Sequence, residues 1–360
     1  MDGMTGSLHS TVSLDHLGGI LAATPHLLGF RPENSLVLMA VAELSTKPVF
    51  GFTLRVDLPP PGHEYEVAEQ LLSGAVRSQH ADSVVAVVVG ERPGDRPPDE
   101  PEPPPWDPPH RRLVEVVREI LGCAGISVTH AIWMSAIVTG RPWICYDEDE
   151  CRGVMPDPQI SPVGTATAAA GVVTFGNRAE IEALVASEPA GELARRSARL
   201  DALTEDLEAE REPHDRLRQD LEFVSAAITR TAQGAALTED DHLRVLLAVS
   251  DPRVRDIVLG TSIGPVSRAA EQLWLTLVRK APAPELADVA ALLAFSAYLR
   301  GDRVFAGVVL ERAEVVRPEH SLTRLLRQSL EVGLPASKLV VLARDAAEDA
   351  RTLLQEDGAW

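Results

Sequence analysis

Between Ser83 and Gly90 the chain reads SVVAVVVG, an almost unbroken β-branched run. A strand with one face in water alternates apolar and polar residues, whereas a run without alternation is covered on both faces. This segment therefore demands a layer above and a layer below. Upstream, Leu36 to Leu44 and Val49 to Leu58 read as strands, and Ser45-Thr46-Lys47-Pro48 between them predicts a hairpin. Val67, Ala68, Leu71, Leu72, Ala75 and Val76 give helical spacing over Glu64 to Gln79. Leu113, Val116, Val117 and Ile120 mark a second helix, and Val128 to Val138 and Trp143 to Tyr146 are further strands around Arg141-Pro142. Ser13 to Leu28 reads as a helix with Ser13 as N-cap and Pro25 disturbing its end. The order is α-β-β-α-β-α-β-β, which predicts a layered α/β domain with a mixed sheet. Thr165 to Ala170 and Arg178 to Ser187 add helices that close it. Arg92 to Pro109, rich in Pro, Asp and Glu, reads as an exposed, poorly ordered loop.

The composition changes after Pro189. Residues 191–222 are charged and helical, with a thin stripe of Leu193, Leu200, Leu203 and Leu207 and a break at Pro213. The stripe covers too few heptads for a coiled coil and reads as a connecting helix. From Leu237 onward no strand pattern occurs. Asp240 to Ser250, Pro252 to Leu259, Pro265 to Val278, Pro284 to Arg300, Arg303 to Arg317 and Leu322 to Val332 read as helices, several opened by Pro. Three parts follow: an α/β domain over 1–188, a charged helical connector over 189–235 and an all-α domain over 236–360. Within the last, Ala290 to Pro318 resembles a tetratricopeptide repeat. Ala294, Ala306 and Ala313 occupy its small crossing positions, Leu310 its bulky one, Gly301 its turn and Pro318 its end. One such unit stands where stacked arrays need about three. It is either a concave surface for a peptide or a helical hairpin inside a bundle.

The chain carries 53 acidic and 34 basic residues, a formal charge of -19. That balance repels phosphate backbones, and Arg111-Arg112 and Arg195-Arg196 are short and flanked by acids, so no nucleic-acid partner is expected. No apolar run approaches the ~18 residues of a membrane helix, and the first residues lack a signal-peptide pattern. Three cysteines, Cys123, Cys145 and Cys151, argue against a disulfide scaffold and fit a cytoplasmic protein.

No phosphate-cradling glycine motif and no G-x-S-x-G elbow is present. His63 is followed directly by Glu64, so the His-x-Glu and Pro-Cys-x-x-Cys pattern of zinc deaminases is missing. Cys145 and Cys151 bracket four acids in CYDEDEC and are the only metal-ligand candidates. A zinc site wants a second pair, and a calcium loop wants a glycine, so a solvated acidic turn with structural cysteines is the stronger reading. Near the hairpin stand Ser35, Arg55 and Asp57, with His26. Arg55 and Asp57, two apart on one strand, project from one face. An arginine there suits a carboxylate or phosphate held against the turn amides. The alternative is a surface ion pair beside a turn serine.

The stretch LLGFRPENSLVLMAV, with Leu21-Ala22-Ala23 and Pro25 before it, resembles the opening of a mainly actinobacterial family, the domain of unknown function 4192. Leu27-Leu28-Gly29-Phe30, Pro32 and Ser35-Leu36-Val37 follow its pattern. Arg55, Asp57, Leu58 and Pro59 match its Arg-x-Asp-Leu-Pro, and Ala297 to Asp302 its late helix turn. Where the family often sets cysteines side by side, this chain has Glu150 before Cys151. The resemblance spans most of the chain and brings no activity with it. Two functions stay open: a non-enzymatic binding or regulatory protein whose residues 236–360 contact a protein partner, or an enzyme or ligand sensor with an anion site on the α/β domain. No cofactor is assigned.

Overall fold

In the computed structural model of the protein, residues 17–44, 47–72, 81–92, 107–147, 150–169, 173–210 and 216–355 are described. The chain divides into two units, Met1–Glu180 and Ile181–Trp360. The β-branched run becomes β3 (Ser83–Val89), buried from Val84 onward. β1 (Ser35–Leu44) pairs antiparallel with both β3 and β2 (Lys47–Asp57). On its other side β3 runs parallel to β4 (Ser127–Met134), and β5 (Pro142–Cys145) and β6 (Arg152–Val154) follow antiparallel. The sheet order is β2-β1-β3-β4-β5-β6, mixed as expected. The one parallel step requires a crossover, and α3 (Arg111–Cys123) lies within it.

Alternation then sorts the side chains. Leu36, Leu38, Val84, Ala86, Val88, Ala131 and Trp133 face α3 and α2 (Glu64–Leu71), meeting Leu71, Leu113, Val116, Val117 and Leu121. The opposite residues, Val37, Met39, Val85, Val87, Ile132 and Met134, are equally buried. α1 (Leu17–Leu28) serves that side, its Thr24 hydroxyl reaching the Met39 sulfur at 3.6 Å. α4 (Pro162–Ala169) packs on α1. Pro25 sits inside α1, which continues to Leu28. The N-cap Ser13, the end of the predicted helix at Gln79 and most of the acidic, proline-rich loop lie outside the described residues. Sequence reading gave five strands, and β6 is the addition. Three residues around Gly153 carry no period to detect.

In the second unit, α5 (Arg178–Leu184) leads into α6 (Ala190–Glu210) and α7 (Arg216–Ala232). Then come α8 (Glu239–Ser250), α9 (Pro252–Val258), a 3₁₀ turn over Leu259–Ser262, and α10 (Ser267–Lys280). α11 (Leu286–Leu299), α12 (Arg303–Val316), α13 (Ser321–Glu331) and α14 (Ala336–Gln355) complete it. The segment read as a connector, 189–235, supplies α6 and α7 and lies within this unit. α6 is docked through its charges: Arg196 binds Glu239 at 3.0 Å and Glu188 at 2.6 Å, and Arg199 binds Asp240 at 3.0 Å. Glu239 and Asp240 occupy the first turn of α8, where the helix dipole favours negative charge. Every residue of α11 from Leu286 to Tyr298 is buried. It packs against α8, α10, α12, α13 and α14, whereas a helix of a stacked array touches only its neighbours. α14 was not read from the sequence, although Leu339 and Ala343 form its buried stripe.

Candidate functional site

The strand ends place the predicted polar residues in a row. Ser35, Asp57 and Val89 are register partners, so the start of β1 and the ends of β2 and β3 share one edge of the sheet. Arg55 lies diagonal to Ser35. Its Nε donates to the Ser35 Oγ at 2.7 Å, and its Nη2 pairs with Asp57. The Ser35 hydroxyl donates to the Glu33 carbonyl. Ser35 is fully buried, Arg55 is mostly covered, and the Asp57 carboxylate is exposed. The structure therefore brings Ser35, Arg55 and Asp57 together. His26 turns elsewhere, with Nδ1 2.8 Å from the Thr174 hydroxyl and Nε2 2.9 Å from the Pro158 carbonyl. Within the trio the Arg55 Nε and Nη2 and the Ser35 hydroxyl each have an acceptor. The serine proton is committed to a carbonyl and no base stands beside it, which is a poor arrangement for a nucleophile.

The row extends toward α3. Asn34, at φ 43°, accepts the Leu58 amide at 2.9 Å. Gly90 lies against it, so that a Cβ there would stand 2.9 Å from Leu58 Cδ1 and 3.3 Å from Asn34 Oδ1. The Gly90 carbonyl accepts the Trp133 indole N–H at 3.0 Å, and the Arg92 guanidinium lies 4.9 Å from the Trp133 ring centroid. His110 precedes α3 at φ 61° and gives it no side-chain cap. Its Nε2 is buried without a hydrogen-bond partner. Burial holds the imidazole below its ordinary pKa, against a hydrogen bond to the Glu91 backbone that raises it. Asn34 and His110 are the two non-glycine residues at positive φ among the described residues, and such strain gathers at functional places. The first turn of α3 carries Arg111 and Arg112 where acids are usual. Arg111 binds Asp107 at 2.5 Å and lies over the Tyr146 ring. Sequence reading took Arg111-Arg112 as a short basic pair and passed over His110. The signal available was two arginines opening a helix with no Ser, Thr, Asp or Asn before them.

Cys145 and Cys151 form a disulfide across the acidic turn. The cysteine count argued against a disulfide scaffold and for structural cysteines in this turn, and this is a single bond, set by the pairing of β5 with the chain returning into β6. There the Cys145 amide donates to the Cys151 carbonyl at 2.8 Å. The disulfide removes the support that the cysteine count lent to a reducing compartment. Among the described residues no three His, Cys, Asp or Glu side chains gather as metal ligands would, and no helix is long and apolar enough to cross a membrane.

The second unit holds a buried polar cluster that sequence reading missed. Asp288 of α11 accepts at Oδ1 from Arg255 Nη1 (3.0 Å) and His320 Nε2 (2.9 Å), and at Oδ2 from Arg317 Nη1 (3.0 Å). His320 Nδ1 accepts from the Thr323 hydroxyl at 2.7 Å and the Thr323 amide at 3.3 Å, which caps α13 and sets the tautomer. Burial pushes the Asp288 carboxyl up. The His320 hydrogen bond, Arg255 and Arg317 outweigh it and hold the carboxyl below its usual range. Asp, His and Thr in line resemble a catalytic triad, yet Thr323 and Asp288 are fully buried and His320 nearly so. No substrate reaches that hydroxyl, and the cluster ties α9, α11 and α13 together. On the surface of the same unit, Glu314, Pro318, Arg324, Arg327, Gln328 and Glu331 line a groove of about 330 Å³ between α12 and α13. Val315, Leu325 and Val332, each next in sequence to a lining residue, are 83%, 47% and 51% exposed.

No curated protein matches the chain, and no solved structure does. The family described as "Domain of unknown function (DUF4192)" matches residues 18–337, nearly the whole chain. The match takes in the strand-end row, the α3 start and the α12–α13 groove, and the chain belongs to that family.

Proposed function

We propose that the protein is a non-enzymatic binding or regulatory protein whose helical unit contacts a partner protein through α12 and α13. The observation that carries this reading is the groove with Val315, Leu325 and Val332 beside its lining residues. Exposed apolar side chains bordered by polar and charged residues are the usual composition of a protein interface. The α11–α12 hairpin is tetratricopeptide-like in its small residues Ala294, Ala306 and Ala313, and it acts as the rigid backing of that surface. The test compares the full chain with a Leu325→Glu/Val332→Glu variant as bait, after circular dichroism has shown that both fold. Loss of captured partner in the variant is expected, and equal recovery refutes the reading.

A second reading, a small-anion site on the α/β unit, draws on the uncapped start of α3 and the unpartnered His110 Nε2. It moves the anion site from Arg55, whose guanidinium Asp57 already engages, toward His110. A thermal-shift series with inorganic phosphate, sugar phosphates and nucleotides tests it. A stabilisation that disappears in His110→Ala supports it, and no shift with any of them counts against it.

A further inference from the structure

Arginines of the helical unit meet carboxylates: Arg196, Arg230, Arg255, Arg300 and Arg327 are each within 3.1 Å of one. Arg312 of α12 differs. Its Nη2 donates to the Ser187 hydroxyl, and its Nη1 is buried with no hydrogen-bond acceptor. Burial lowers the guanidinium pKa and no anion offsets it. In a chain of charge -19, a half-covered cation without a carboxylate is an unfilled anion position. Its one partner is an exposed serine, on the short segment between α5 and α6. That segment is anchored by buried Val185 and by the Glu188 amide, which donates to the Arg279 carbonyl at 2.9 Å. The neighbouring Glu188 carboxylate is engaged by Arg196 at 2.6 Å and is not available to Arg312.

We propose that Ser187 is a phosphorylation site and that Arg312 is the group that receives the phosphate. A serine kinase would transfer the γ-phosphoryl group of a nucleoside triphosphate to Ser187. An Oγ–P bond forms, the bond to the departing nucleoside diphosphate breaks, and the hydroxyl proton leaves to the kinase's base. The product carries nearly two negative charges and three acceptor oxygens. A guanidinium presents parallel N–H groups to such an oxyanion. Nη2 keeps a partner at Ser187 and Nη1 gains the acceptor it lacks. The 185–189 segment is then latched onto α12. This inference stands apart from the groove reading, because neither residue lines the groove.

The experiment places phosphoserine at position 187 of the full chain by genetic encoding, in the natural background and in Arg312→Gln and Arg312→Lys. The expected result is a rise in Tm of about 2–4 °C with Arg312, a smaller rise with Lys, and none with Gln. The lysine variant guards against a glutamine variant that fails to fold. No rise in the natural background, or an equal rise in Arg312→Gln, overturns the proposal. A second readout is mass spectrometry of the chain from its native host. The tryptic peptide Ala179–Arg195 contains Ser187 as its only hydroxyl residue, so one added phosphoryl group locates itself. Its presence in any growth phase supports the assignment, and its absence in all of them overturns it.

Discussion

At the residue scale, the buried charges around Asp288 have named partners, which makes single substitutions informative. Asp288→Asn leaves Arg255, almost fully buried, without its buried counter-charge and with only the exposed Asp256 as a carboxylate partner. Breaking a buried pair in this way costs about 3–5 kcal/mol, and urea unfolding of the variant measures it. His242 gives a pH-dependent case. Burial, then the nearby Lys280, lowers its pKa from 6.5 to about 4. The folded state therefore keeps the imidazole neutral over a range where the unfolded chain takes up a proton. Its contribution is intact above pH 6.5 and is lost as pH falls toward 4, by roughly 3 kcal/mol at most. In His242→Gln that loss is absent, so the stability gap between natural and variant chains changes across this window in urea titrations. A gap that is constant with pH refutes the assignment.

At the element scale, helix starts and strand contacts carry the specificity. Thr238 accepts the Asp241 amide at 3.1 Å while Asp241 accepts the Thr238 amide at 2.8 Å, a reciprocal cap on α8. Thr238→Ala removes half of it and costs about 1 kcal/mol, readable as a lower urea midpoint with unchanged slope. On β6, a Cβ at Gly153 would lie 2.5 Å from the Trp143 ring. Gly153→Ala therefore displaces the indole or the strand, at about 1–3 kcal/mol. This contact shows why the sheet was legible only in part. β1, β2, β3 and β4 declare themselves through alternation or a β-branched run. β6 exists because a glycine lets a tryptophan lie across it, and no local period records that. Helices α8 to α13 were legible through their spacing and prolines. Ser35, Arg55 and Asp57 were legible as a trio because strand alternation predicts which side chains share a face. The Cys145–Cys151 bond, the orphan His110 nitrogen and the Asp288 cluster depend on where separate segments return, and spacing within a segment carries no trace of that.

At the scale of the whole molecule, an excess of acids covers two units built mainly on Leu, Val and Ala, with aromatics at 4%. At about 0.15 M salt the chain is expected to pass over duplex DNA without retention, as band-shift titration would show. Retention there would point to a local basic surface stronger than its net charge. One consequence of α11 concerns how the chain is made. A helix buried on every side shows part of its coat to water until all its neighbours exist, and α12, α13 and α14 follow it in sequence. A growing chain emerging at ~5–20 residues per second would have α8 and α10 on one side of that helix while the faces meant for α12, α13 and α14 still wait for them. The helical unit therefore closes only after α14 has been made, and a chain halted after Val316 is a natural client for a chaperone.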